Sequence, residues 1–209
     1  MSGASHRLGR VLSFAWAYRL AKAGIGAQRA SRTFVETYIE PAPGMRILDL
    51  GCGPADVLED LEGVDYVGVD LSGAYIEAAR ARFGGRGRFL CGDVGQLPAD
   101  LAGPYDRVLA LGLLHHLEDT ECLALLARAA SLLAPGGLLV TLDGCYRDGQ
   151  SPLARFFLGR DRGRRVRTAE GYLALARLAF PAVESHLRED LLRIPYTHLI
   201  LRGRKPSTS

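Results

Sequence analysis

The run Ile47-Leu48-Asp49-Leu50-Gly51-Cys52-Gly53 constrains this chain more than any other segment. A short apolar stretch ends in an acid, and two glycines follow at alternate positions before a helical pattern begins. This is how a buried parallel strand passes into a tight turn whose backbone a ligand can touch. Glycine is needed there because a Cβ would oppose both positive φ and close approach. One strand–helix unit later comes Val67-Gly68-Val69-Asp70-Leu71-Ser72, a second strand ending in an acid. A carboxylate at that separation suits hydrogen bonds to ribose hydroxyls, so the pair reads as a nucleoside-binding site.

From residue 46 onward strand and helix patterns alternate, the signature of a parallel sheet wrapped by helices. Strands are expected over Arg46–Leu50, Tyr66–Val69, Gly87–Cys91, Arg107–Leu111 and Leu138–Leu142, with helices over Ala55–Leu61, Gly73–Phe83 and Thr120–Leu133. Ser72 suits an N-cap, and Ala134-Pro135-Gly136-Gly137 cannot continue the third helix. Residues 144–167, rich in Gly and Arg, read as a loop with one short helix. A helix over Ala169–Leu178 and strands over Val183–Leu187 and Thr197–Arg202 complete the chain. Near the start, Leu8, Val11, Leu12, Ala15 and Trp16 stand at helical spacing, so residues 1–40 read as two helices closing over the ligand edge of the sheet.

Together, Ile47–Gly53, Val67–Ser72, Cys91-Gly92-Asp93-Val94, Tyr105-Asp106-Arg107-Val108 and Leu133–Val140 stand in a family order. The chain resembles the class I S-adenosylmethionine-dependent methyltransferases, well over residues 34–143 and loosely beyond. The resemblance implies an α/β, Rossmann-like, seven-stranded, mostly parallel sheet with helices on both faces and a last strand that runs antiparallel. It implies one domain: an N-terminal helical lid (1–40), a cofactor-binding core (41–143) and a substrate-side region (144–209). It further implies that Asp49, Gly51, Cys52 and Gly53 cradle the methionine part of S-adenosylmethionine and that Asp70, with Leu71 beside it, binds the ribose. Asp93 then receives the adenine amino group, Val94 offers its backbone, and Leu111 and Gly112 lie along the cofactor's other face. A third family glycine is replaced by Ala55, from which slightly altered helix packing is expected.

Methyl transfer from an activated sulfonium asks mainly for in-line positioning, and a base only where the acceptor must lose a proton. His115, His116 and Asp143 are the candidates, since the fourth and fifth strands are neighbours in this topology. Adjacent side chains diverge, so one histidine should face the cavity, preferably His115. Alternatively, the histidines cap the helix that starts near Glu118. Tyr18, Tyr146 and Arg160 are candidate substrate contacts. The arginines at 160, 162, 164, 165 and 167 suit an anionic acceptor or a solvated loop.

These features give an O-methyltransferase of a small molecule as the leading expectation. The alternatives are an N-methyltransferase of a small amine and a non-catalytic or regulatory protein that keeps the cofactor pocket. A formal net charge of +3 does not point to nucleic acid, and the Asn/Asp-Pro-Pro-aromatic and Pro-Cys motifs of nucleic-acid methyltransferases are missing. The chain has no asparagine, and no metal site is expected. Cys52, Cys91, Cys122 and Cys145 are scattered and no apolar run spans a bilayer, which fits a cytoplasmic protein.

Overall fold

Consecutive residues of a strand face opposite sides of a sheet, so a strand apolar at every position must be covered on both faces. Two central strands come near that condition: Ile47–Leu50 of one and Arg107–Ala110 of the other are buried at every position. A computed structural model describes residues 25–98, 101, 103–160, 165–192 and 194–207. Its strands are β1 Arg46–Leu50, β2 Asp65–Asp70, β3 Gly87–Cys91, β4 Tyr105–Leu111, β5 Leu133–Tyr146, β6 Arg167–Thr168, β7 Ala182–Arg188 and β8 His198–Arg204. The main sheet has the order β3-β2-β1-β4-β5-β8-β7, and β6 pairs only with the end of β5. Strand β8 is antiparallel to both neighbours, and the other main-sheet ladders are parallel. The order reverses between β1 and β4, which opens a ligand crevice at their carboxyl ends.

The helices are α1 Ile25–Phe34, prolonged by a π-helical turn Val35–Ile39, then α2 Gly73–Phe83, α3 Asp119–Leu132, α4 Pro152–Arg160 and α5 Ala169–Ala179. One face of the sheet packs Leu48, Val67, Val108 and Leu139 against Cys122, Leu125 and Ala129 of α3 and Tyr172 and Ala176 of α5. The other packs Ile47, Tyr66, Leu109 and Ile200 against Val35, Ile39, Leu58 and α2 residues Ile76 and Ala79. Ser72 caps α2 as expected, its hydroxyl accepting from Tyr75 N at 3.4 Å. The expected helix at Leu8–Trp16 and residue Tyr18 lie outside the described residues. Among those described, no helix is long and apolar enough to cross a membrane.

Three segments depart from the expected pattern. Ala55–Leu61 is not an α-helix but a 3-10 turn over Asp56–Glu59. Ala55 adopts φ +58°, after the positive φ of Gly51 (+71°) and Gly53 (+54°), so it caps the turn rather than belonging to it. Strand β5 is longer than expected at both ends. A register shift pairs Tyr105 with Leu133 but Arg107 with Leu138, so the Pro135-Gly136 stretch is absorbed as an irregularity in an extended chain. Residues 144–146 continue that strand rather than beginning a loop, and the short helix expected beyond them is α4.

Short turns of this kind lack internal support, and two of them are fastened by arginines. Arg86 Nη2 donates to Leu58 O and Leu61 O beside the Asp56–Glu59 turn. Arg107 donates to Ile39 O (2.6 Å) and Glu40 O (3.2 Å) at the end of the π-helical turn. A planar fork reaches two carbonyls at once, which an ammonium does less well.

Packing at the carboxyl end of β5 is equally specific. A Cβ on Gly144 would overlap Tyr196 Oη and come within 2.8 Å of Leu158 Cδ2. Gly144→Ala is expected to destabilise the protein by about 1–3 kcal/mol through overpacking. Urea unfolding reads this directly; an unchanged midpoint would show that Tyr196 moves aside freely.

Candidate active site

The crevice is assembled by loops tied to one another across the sheet edge. Gly51 N and Cys52 N both donate to Val69 O (2.8 and 3.1 Å), joining the β1 turn to β2. Gly92 N donates to Asp70 O at 3.0 Å, which brings in the loop after β3. Gly112 N donates to Leu142 O at 2.7 Å and aligns the β4 turn with β5. A Cβ on Gly51 would meet Leu113 Cδ1 at 3.0 Å, so the β1 and β4 turns converge.

Asp70 stands where these loops meet. Its Oδ2 accepts from Gly53 N (2.9 Å) and its Oδ1 from Ser72 N (2.8 Å). Each carboxylate oxygen retains a further lone pair, so the group is pre-oriented without being exhausted. Next to it Leu71 is 72% exposed, an apolar side chain left at the rim. Asp93 is exposed and turns one oxygen back to Gly95 N at 2.8 Å, while Val94 is buried and Leu111 half-buried.

Asp49 is buried, with Oδ2 accepting from the Tyr66 hydroxyl at 2.6 Å and Oδ1 buried without a partner. Burial, offset by the Tyr66 bond and reinforced by the Asp70 charge, raises its pKa to about 7. Tyr66 escaped the sequence reading. The signal was Gly68, which pairs with Asp49 and leaves the sheet face open for the tyrosine ring; a Cβ there would lie 3.1 Å from Tyr66 Cε1. The Cys52 thiol lies in the same space, 2.8 Å from that position. Burial and the carboxylates of Asp49 and Asp70 push its pKa far up, so it fills volume rather than reacting.

Across the crevice, His115 and Asp143 come together. His115 Nδ1 lies 2.8 Å from Asp143 Oδ1, and the same oxygen accepts from His115 N at 3.1 Å. Both residues are buried, at 6% and 2% exposure. A carboxylate accepts only, so Nδ1 carries a proton, and in the neutral ring the lone pair is on Nε2. The ring's Cε1 edge faces Gly112, 3.8 Å from where a Cβ would stand. The two histidine rings do not diverge: their centroids lie 4.3 Å apart with the planes tilted by 40°, His116 being the exposed one. They sit on a 3-10 turn, Leu114–His116, and neither caps α3. That N-cap is Glu118, whose N donates to Glu121 Oε2 at 2.9 Å.

The expected substrate contacts separate. Tyr146 ends β5 and packs beside α4, with the Arg155 guanidinium 5.7 Å from its ring centroid. Arg160, in the last turn of α4, lies over the Phe156 ring at 4.4 Å. Arg165 pairs with Glu118 and Arg167 with Asp119, so these two cations are already matched by acids. An open cavity of about 460 Å³ lies between the β5–α4 and β7–β8 connections. Arg147, Ser151, Glu189, Ile194 and Tyr196 are among its lining residues; Tyr146 and Arg160 are not. Among the described residues, no cluster of three or more His, Cys, Asp or Glu could hold a metal ion.

A reversed-order parallel sheet with an antiparallel final hairpin, a glycine turn at β1 and an acid ending β2 define a methyltransferase fold. Residues 47–137 match the family described as a methyltransferase domain. Over residues 47–137 the chain thus carries a methyltransferase domain. Over 111 residues it is 33% identical to the ubiquinone biosynthesis O-methyltransferase of Xanthomonas axonopodis pv. citri (strain 306), covering 51% of this chain and 45% of that protein. The chain thus spans about half the length of the curated relatives it matches. Haemonchus contortus phosphoethanolamine N-methyltransferase 2, in complex with S-adenosyl-L-methionine, superposes with a TM-score of 0.72 at 16% identity, over 92% of this chain and 56% of that one. The [4+2]-cyclase SpnF superposes with a TM-score of 0.67 at 20% identity, over 86% and 82% of the two chains. At such identities these neighbours show the fold alone.

Proposed function

We propose that this protein methylates a hydroxyl group of a small-molecule acceptor, with His115 as the base. The observation that carries the reading is the buried Asp143–His115 pair, which fixes the ring with its Cε1 edge toward the turn that ends β4. A hydroxyl must lose its proton to become an effective nucleophile, and an oriented, carboxylate-held imidazole is suited to take it. The O-methyltransferase name of the Xanthomonas relative supports the same reading.

The residues present fit the cofactor. Asp49 Oδ1 is a buried acceptor without a partner, suited to an ammonium group. Asp70 keeps lone pairs for two ribose hydroxyls, and Leu71 offers apolar surface to a purine. The Gly51–Gly53 turn admits close approach, since no atom lies within 4 Å of a Cβ on Gly53. Asp93 and Val94 would border the adenine and Leu111 the opposite face. When bound, S-adenosylmethionine supplies a methyl on a sulfonium already activated for displacement. The chain then has two tasks: to hold the acceptor oxygen in line and to accept its proton at Nε2. The 460 Å³ cavity falls within the usual range for small-molecule sites, and its wall begins at Arg147, four residues beyond Asp143.

The test is to incubate the protein with methyl-labelled cofactor and matched acceptors bearing a hydroxyl or an amine at the same position. Label is expected on the hydroxyl series. Label on amines alone would replace this reading by N-methylation, and cofactor binding without any transfer would favour a non-catalytic role. Asp70→Ala is expected to weaken cofactor binding by about 10- to 100-fold, the worth of hydrogen bonds to a charged group. Calorimetric affinity equal to that of the wild type would remove Asp70 from the site.

A further inference from the structure

The turn that presents His115 has only three residues, Leu114–His116, closed by His116 N to Leu113 O (3.0 Å) and Leu117 N to Leu114 O (3.2 Å). An isolated 3-10 turn of this length has little stability of its own, so its position must be imposed from outside. The imposing element is β6. Arg167 and Thr168 pair beside Cys145 and Tyr146, bringing the returning chain to the carboxyl end of β5. Arg165 N there donates to His115 O at 3.1 Å.

The Arg167 side chain, only 11% exposed, fastens both ends of the turn. Nη1 donates to Leu114 O at 3.0 Å and to Arg165 O at 3.2 Å. Nη2 donates to Leu117 O at 2.7 Å. Asp119 Oδ1 accepts from Nε at 2.9 Å and Nη2 at 2.7 Å, and holds the fork in plane. The guanidinium also sits 5.5 Å from the Tyr172 ring centroid. Asp143 therefore fixes the imidazole ring, and Arg167 fixes the backbone that carries it.

We propose that Arg167 is a positioning residue that acts through His115, setting the imidazole against Asp143 for proton transfer. This rests on the reading of His115 as base. Displacing a reacting group by about 1 Å can cost on the order of 100-fold in rate. Lysine keeps the charge but offers no planar fork, so it cannot span Leu114 O and Leu117 O as arginine does.

Arg167→Lys and Arg167→Gln, compared with His115→Ala, decide the matter. The first readout needs no acceptor: the imidazole Nδ1–H resonance in proton NMR of the cofactor-loaded protein, assigned by its loss in His115→Ala. Both arginine variants are expected to lose or broaden it while binding S-adenosylmethionine within about 2-fold of the wild type. A resonance that persists unchanged in Arg167→Gln overturns the proposal. So does loss of the resonance together with cofactor affinity, since the role would then be general support of the fold. If Arg167→Gln does not fold, Arg167→Lys carries the same decision. With an acceptor in hand, kcat is expected to fall about 10- to 100-fold at unchanged KM, and Arg167→Gln should cost nothing further in a His115→Ala background. If His115→Ala transfers methyl groups at the wild-type rate, the base assignment fails, while the resonance still reports whether Arg167 holds the ring.

Discussion

Asp49→Asn is expected to abolish cofactor binding and, at the same time, to stabilise the cofactor-free protein above neutral pH. The two effects have one cause. In the folded chain the Asp49 carboxyl has a pKa raised by burial from 3.8 to about 7. Between those values the folded state holds a proton that the unfolded state has released, so stability falls as pH rises and the full penalty is present above about pH 7. A neutral asparagine removes that penalty and can still accept from Tyr66, with an expected gain of about 1–4 kcal/mol near pH 8. An ammonium group of the cofactor reverses the balance, because a cation beside Oδ1 favours the ionised form. Binding should therefore release a proton below about pH 7, with affinity falling by up to about tenfold per pH unit as the medium becomes more acidic. Calorimetry from about pH 5.5 to about pH 8.5, in buffers of different ionisation enthalpy, measures both the affinity and the proton release. Wild-type-like binding by Asp49→Asn, or an affinity flat across that range, would show that Asp49 is not the group that meets the ammonium.

His115→Ala is expected to lower kcat on a hydroxyl acceptor by about 100- to 10,000-fold, the usual worth of a positioned general base. Asp143→Asn should come close to it. An amide can turn its NH₂ toward Nδ1 and select the tautomer with the proton on Nε2, where it cannot accept another. In both variants the affinity for S-adenosylmethionine should stay near that of the wild type, because neither residue joins the Asp49–Asp70 side of the crevice. His116→Ala is the internal contrast. Its ring is exposed and only touches that of His115, and a loss of only a fewfold is expected. Steady-state kinetics with one confirmed acceptor separates these cases; an effect larger at His116 than at His115 would reverse their roles.

Much of this site was legible because its information is local. Asp49, Gly51, Gly53 and Asp70 fall at strand ends that hydrophobic periodicity marks out, and the pairing of β4 with β5 follows from strand order. That neighbourhood brought His115 to Asp143 before any distance was known. The rest was hidden for physical reasons. Ala55 carries nothing in its side chain to announce a left-handed backbone. Tyr66 reaches Asp49 only because Gly68 leaves the space empty, a cross-strand relation that neither strand encodes alone. Arg167 looked like part of a solvated basic run, yet it lies 53 residues along the chain from the Leu114 carbonyl it holds. Guanidinium-to-carbonyl bonds leave no periodic trace, since their acceptors are backbone atoms common to every residue.

The pairing of β6 beside the end of β5 gives the segment between them an independence of its own. Because Cys145 lies opposite Arg167 and Tyr146 opposite Thr168, the chain departs from and returns to one point on the sheet. Its closure is set by that ladder rather than by its length, and doubling a closed loop costs only about 0.6 kcal/mol in entropy. This excursion carries Arg147, Gly149, Ser151 and Ala154 of the cavity wall, whereas the cofactor loops hang from other strands. Gln150, Ala154 and Leu158 are buried against the rest of the fold, so variation is accommodated at the exposed positions between them. On the proposed placement of the acceptor, retargeting becomes a matter of exposed side chains between two fixed anchors, with Arg167 retained as the downstream one.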